Sequence, residues 1–210
     1  MPVITIARQF GAGGSDVAAI VAERLNAEVV DRSLITEVAR RLELTSDEVA
    51  AEDEHPTRLV DRLVRAMSPM TLEFGVAWDP PYVDPSFDAR KSIIGLTEQV
   101  IREVAERGNA VVVGRGGAFV LAELPGALHV FLCAPLEHRV RAVMERFGLA
   151  EAEARRRLHE TDANRQAYAR QLFGADWQDP IHYDLVLNSA RLGIPTCAEV
   201  ILSTVERRAG

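Results

Sequence analysis

The run Arg8-Gln9-Phe10-Gly11-Ala12-Gly13-Gly14-Ser15 combines residue types suited to binding phosphate. Glycines let backbone N–H groups approach an anion closely and permit positive φ. A serine opening a helix can place its hydroxyl on a phosphate-bound Mg²⁺, and the positive end of the helix favours the anion itself. The phosphate-loop pattern is G-x-x-x-x-G-K-[ST]. Gly13 and Ser15 match it, but Arg8 stands at the first glycine and Gly14 at the lysine. That lysine ordinarily brings positive charge to the β and γ phosphates. Arg8, at the end of the preceding apolar run, can bring similar charge from the opposite side of the loop, because its planar fork suits phosphate oxygens. The candidate phosphate-binding set is therefore Gly11, Ala12, Gly13, Gly14 and Ser15, with Ser15 on the metal and Arg8 as the substitute cation. The plain reading of the same residues is a tight strand–helix turn with no ligand.

Arginine dominates the remaining chemistry. Of 24 basic residues, Lys91 is the one lysine, so a reaction needing a cation must use arginines. Phosphoryl transfer suits them: it asks for in-line positioning and positive charge rather than covalent work by the protein. Arg115 lies between Gly114 and Gly116 after an apolar run. It reads as a clamp on an acceptor phosphate, or as a surface arginine in a turn. Arg157, Thr161 and Arg165 fall at i, i+4 and i+8 and share one helix face, with Asp162 three residues before Arg165. They read as a lid that carries arginines onto phosphates, or as a solvated basic face, since Arg155 and Arg156 are adjacent. Arg139 and Arg141 carry a weaker signal of the same kind. Asp31 and Arg32 follow a short apolar run and can meet an acceptor, although Asp31 or Ser33 can equally cap a helix. Arg58 and Arg62 can read an acceptor base or phosphate, or face solvent.

These residues must be positioned by a scaffold, and the patterning supplies one. Pro2–Ala7 reads as a buried strand running into the glycine cluster. The following helix has Val17, Ile20, Val21 and Leu25 on one face, with Ser15 or Asp16 as its cap. Further strands are expected at 27–30, 110–113, 128–134 and 183–188. Helices are expected at 94–107, from Pro135 to Arg146, at 150–173 and at 196–207. Residues 34–70 read as helical, and 75–90, with Pro80, Pro81 and Pro85, as a loop. Five strands alternating with helices give an α/β fold with a doubly wound parallel sheet. Arg8, Asp31 and Arg115 then all fall at carboxyl ends of strands, the ligand edge of such a sheet. Trp177 and Tyr183 read as packing anchors.

Composition narrows the possibilities. The chain has 210 residues, 48% hydrophobic and 26% charged, and a net charge of −7. These values fit one globular domain and disfavour general binding to nucleic-acid polymers. No apolar run approaches the length of a membrane span, and the amino terminus carries no secretory pattern. Cys133 and Cys197 lack metal-like spacing, which suggests free thiols in a cytoplasmic protein. The five histidines show no zinc-like clustering.

Several segments together resemble the cytidylate kinase-like family of phosphate-loop nucleoside monophosphate kinases. They are Ile4–Ser15; Asp31-Arg32-Ser33-Leu34-Ile35; Val113-Gly114-Arg115-Gly116-Gly117; Ala163–Tyr168; Phe173–Trp177; and Tyr183–Ser189. The family lacks the loop lysine, as this chain does. The resemblance implies a single domain over 1–210, with core segments 1–35, 92–148 and 180–210. It also implies a helical acceptor-binding insertion over about 36–91 and a lid over about 149–179. It implies transfer of the ATP γ-phosphoryl group, with Mg²⁺, to a nucleoside monophosphate such as CMP or dCMP. Cytidylate kinase itself has an aspartate where this chain has Gly116, and the central insertion matches poorly. The other readings are a kinase for another small acceptor, a non-catalytic nucleotide-binding or regulatory protein on the same fold, and, more distantly, a sulfotransferase.

Overall fold

The computed structural model describes residues 1–31 and 87–209. Five strands form one sheet: β1 (Val3–Arg8), β2 (Glu28–Val30), β3 (Ala110–Val113), β4 (Leu128–Cys133) and β5 (Leu185–Asn188). Their order is β2-β3-β1-β4-β5, and every pairing is parallel. The helices are α1 (Gly14–Leu25), α2 (Phe87–Arg107), α3 (Gly117–Val120), α4 (Leu136–Phe147), α5 (Glu151–Phe173), α6 (Ser189–Leu192) and α7 (Ile194–Ala209), with a 3-10 turn at Pro180–His182.

β1 is central because its sequence can be buried on both faces. Ile4 and Ile6 point to one side, where Val17, Val21, Val111, Val130, Leu132 and Ile201 close a core between the sheet and helices α1 and α7. Each such side chain contributes on the order of 1.5–3 kcal/mol when fully removed from water. Thr5 and Ala7 point to the other side. There Phe131 and Trp177 meet edge to face at 5.5 Å, and Ala169 of α5 packs with them. A parallel strand needs such cover on both faces.

This topology fixes where ligands bind. The chain leaves β1 toward β2 on one side and later enters β4 on the other. The carboxyl end of β1 is therefore the switch point of the sheet, where doubly wound folds open a crevice.

The expected elements are present with shifted ends. α1 is capped by the backbone at Gly13, which has φ +75° and no side-chain cap, so neither Ser15 nor Asp16 takes that role. The helix can start this early because glycines at 13 and 14 impose no Cβ. Residues 87–90, expected in a loop, belong to α2. β5 begins at Leu185 rather than 183, because Tyr183 follows the 3-10 turn. Helices expected within 34–70, the stretch 75–86, and residues Arg32, Arg58 and Arg62 lie outside the described residues. Contacts divide the chain into one unit of Met1–Val30 with Ile101–Gly210 and another of Asp31–Val100. The glycine loop, Arg115 and α5 all belong to the first.

Candidate active site

The loop after β1 turns immediately. Ala12 N–H donates to the Gln9 carbonyl at 3.1 Å, so of the candidate phosphate ligands Ala12 has its amide committed within the loop. The N–H groups of Gly13, Gly14, Ser15 and Asp16 open α1, where an α-helix has no intrahelical acceptors to offer. Ser15 is half-buried at this mouth. Asp16 is turned outward and pairs with Arg146 at 3.1 Å.

Arg8 is 9% exposed although it carries a full charge. Its stem runs over Gly14: a Cβ placed there would lie 2.6 Å from Arg8 Cγ and 2.9 Å from Arg8 Cβ. Its guanidinium reaches Gly114 in the turn after β3, where a Cβ would lie 2.1 Å from Nη1. Gly114 also has φ +72°, so both its conformation and its neighbour demand glycine there. The arginine thus spans from the helix-opening loop to the β3–α3 turn, across the switch point.

That turn continues through Arg115 at φ +59° and Gly116 at φ +69°. Arginine seldom adopts this region, and such strain persists only where the surroundings impose it. Position 116 has no room for a side chain, because a Cβ would sit 2.6 Å from the Phe173 ring.

α5 delivers a second arginine, half-buried, to Arg8. Arg165 Nη1 donates to the Arg8 backbone carbonyl. The guanidinium lies 3.6 Å from Asp162 and 5.7 Å from the Trp177 ring centroid, over its face. Burial, reinforced by the neighbouring Arg8 cation, pulls Arg165 well below the ordinary arginine range. An anion bound beside both arginines would relieve both effects.

The charged run of α5 divides as the helical spacing implies. Arg155 pairs with Glu137 and Glu151, and Arg156 with Glu160, on the solvent side. Thr161 is buried at 3% exposure on the opposite face. Arg157 turns inward as well, but onto rings: its guanidinium lies 4.6 Å from the Phe147 centroid and 5.9 Å from that of Phe10. Asp162 does more than orient Arg165. Its Oδ1 accepts the Phe10 N–H at 2.9 Å, and its Oδ2 accepts from Arg139 Nη1 at 2.6 Å. Burial lifts this carboxyl above the usual range, against the opposing pull of the Phe10 amide and Arg139.

The structure therefore brings together Arg8, the 11–15 loop, Asp162 and Arg165, with the Gly114–Gly116 turn against Arg8. Asp31 follows β2 and falls in the other unit. Arg139 carried little signal in the sequence, since one arginine in an amphipathic helix looks like surface. The cue was its place one turn after Pro135, where a helix starts beneath the loop. Among the described residues, no cluster of three His, Cys, Asp or Glu side chains forms a metal site, and no helix is long and apolar enough to cross a membrane.

A family model described as "Cytidylate kinase-like family" matches residues 3–191. The chain belongs to the cytidylate kinase-like family. A cytidylate kinase from Methanopyrus kandleri is 36% identical over 124 residues, which cover 55% of this chain and 59% of that protein. A protein named uronate isomerase from Corynebacterium glutamicum is 32% identical over 112 residues, or 53% of this chain and 21% of its own length. The chain thus spans less than two thirds of either relative. Among solved structures, an uncharacterized protein from Eubacterium ventriosum superposes with a TM-score of 0.70 at 21% identity, covering 98% of this chain and 99% of that one. Shikimate kinase from Acinetobacter baumannii, in complex with shikimate, gives 0.50 at 15% identity over 98% and 93%. At these identities the likeness is one of fold, and the family's phosphate-loop kinase fold is the one this chain adopts.

Proposed function

We propose that the chain is a phosphotransferase that moves the ATP γ-phosphoryl group to a nucleoside monophosphate, with CMP or dCMP as the acceptor. The observation that carries this reading is the course of Arg8: its stem covers the position where the loop lysine normally stands, and its guanidinium points across the switch point to Gly114. On this reading the 11–15 loop holds the donor phosphates through backbone N–H groups other than that of Ala12, which is spent on Gln9, while Arg8 supplies the charge that the lysine supplies elsewhere. Arg165 stabilises the equatorial oxygens of the moving group. Arg115, with Asp31 and Arg32, holds the acceptor. An oxygen of the acceptor phosphate forms the new bond to the γ phosphorus, the bond to the β–γ bridging oxygen breaks, and ADP leaves. The Ser15 hydroxyl would be the oxygen ligand the chain offers a nucleotide-bound Mg²⁺, which would supply charge neutralisation there. On this reading the segment of about 36–91 is the acceptor-binding insertion, and the segment 149–179 serves as lid. A protein that consumes ATP in this way belongs in the cytoplasm.

One observation favours a second reading, a kinase for another small acceptor. Phe173 fills the space beside Gly116, so the aspartate that cytidylate kinase has at this place is missing and cannot be accommodated. An acceptor panel with ATP and Mg²⁺ decides between the two. ADP release that depends on CMP or dCMP supports the first, and release only with a non-nucleotide acceptor supports the second. Tight ATP binding by calorimetry with no turnover on any acceptor would instead mark a non-catalytic nucleotide-binding protein.

A further inference from the structure

We infer that Arg139, which lies outside the phosphate-binding set, is a positioning residue for phosphoryl transfer, acting through Asp162 and the Phe10 peptide; the inference rests on the reading above. Arg139 is 8% exposed. Its Nε donates to the Ala134 carbonyl at 3.1 Å, and its Nη1 donates both to the Phe10 carbonyl at 3.1 Å and to Asp162 Oδ2 at 2.6 Å. Asp162 Oδ1 in turn accepts the Phe10 N–H at 2.9 Å. The two polar groups of Phe10 are therefore held by the two members of one ion pair, the carbonyl by the arginine and the amide by the carboxylate. The next residue, Gly11, lies against the Arg139 backbone carbonyl, where a Cβ would approach to 2.9 Å.

The consequence is mechanical. Phe10 sits two residues after Arg8 and immediately before the candidate phosphate-binding glycines. Asp162 sits one helical turn before Arg165 and 3.6 Å from its guanidinium. Arg139 thus fixes the loop and the Arg165-bearing part of α5 relative to each other, through Nε and Nη1 donors that go to protein acceptors. A lysine replaces it only in part, because a compact ammonium does not span three acceptors spread across the planar fork of a guanidinium. Misplacement of catalytic groups by about 1 Å can cost roughly 100-fold in rate. A displaced loop and Arg165 are expected to be felt in kcat more than in the affinity for either substrate.

The test compares Arg139→Gln with Leu202→Ala, a core change at the far side of the sheet. Melting temperature, kcat and both KM values are measured with ATP and CMP. Arg139→Gln is expected to lower kcat by roughly 100-fold with either KM changed by less than about threefold. Leu202→Ala lowers the melting temperature and keeps kcat when assayed well below it. If Arg139→Gln does not fold, Arg139→Lys is read the same way, with a smaller loss of kcat expected. Wild-type kcat in the folded Arg139 variant overturns the inference, as does a loss that only tracks melting temperature in both proteins. A wild-type protein with no turnover on any acceptor would instead remove the kinase reading, and this inference with it.

Discussion

The side chain of Arg8 occupies the volume that a side chain at position 14 would need, its Cγ lying 2.6 Å from where a Gly14 Cβ would sit. The missing loop lysine and the buried strand-end arginine are therefore one structural fact. A lysine at 14 and an arginine at 8 exclude each other, and this chain holds the arginine.

The guanidinium end of Arg8 depends on Gly114. Gly114→Ala places a methyl group 2.1 Å from Nη1 in a backbone conformation with φ +72°. The left-handed conformation itself costs about 1–2 kcal/mol, a tolerable loss for a folded domain. Displacement of the guanidinium should lower kcat by roughly tenfold or more while circular dichroism stays native. Unchanged kcat would show that the position of Nη1 against this turn is immaterial.

Arg165 is packed on three sides, by Asp162, the Arg8 carbonyl and the Trp177 face. Arg165→Lys keeps the charge but loses the planar fork that stacks on an indole and reaches two groups at once. Its kcat is expected to fall by roughly 100-fold or more, with a melting temperature near that of wild type. Steady-state kinetics with both substrates checks this, and a lysine variant with native turnover would remove the assigned role.

Acid should destabilise the fold through His129. Its Nδ1 lies 2.8 Å from Thr5 Oγ1 beneath the sheet, and burial lowers its pKa against the opposing effect of Asp184. In the unfolded chain the ring takes its proton near about 6.5. Between the two values the unfolded state binds more protons, so stability is full above the unfolded value and falls as pH drops toward the folded one. Melting temperatures from pH 7.5 to 5 should decline more steeply for wild type than for His129→Gln. Equal slopes would assign the acid sensitivity elsewhere.

The strands were legible because parallel central strands are apolar on both faces, and runs such as Val3–Ile6 and Ala110–Val113 admit little else. The loop was legible as a departure from a pattern, with glycine at the lysine position. What the departure was for could not be read, since the contact between Arg8 and Gly14 depends on the path of a side chain. The buried face of α5 was half legible. Spacing placed Arg157 and Arg165 together, but only the fold sends Arg165 to Arg8 and Arg157 onto Phe147. The Asp162–Arg139 pair joins residues on two helices to a backbone amide and carbonyl, a link with no sequence period. The backbone cap at Gly13 was missed because Ser15 and Asp16 are good capping residues, and the glycines let the helix begin before them.

The most direct measurement is turnover of Arg8→Ala, Arg8→Gly and the double variant Arg8→Gly/Gly14→Lys with ATP and CMP. The glycine at 8 clears the stem and the Cβ that lies 2.9 Å from the position 14 Cβ. If Arg8 stands in for the loop lysine, Arg8→Ala and Arg8→Gly fold but lose about 1,000-fold or more in kcat, since each removes a charge at the transferring phosphoryl group. The double variant then recovers at least about tenfold over Arg8→Gly, because the loop cation is restored from the position it occupies in the common pattern. Wild-type turnover in Arg8→Ala would contradict the account outright.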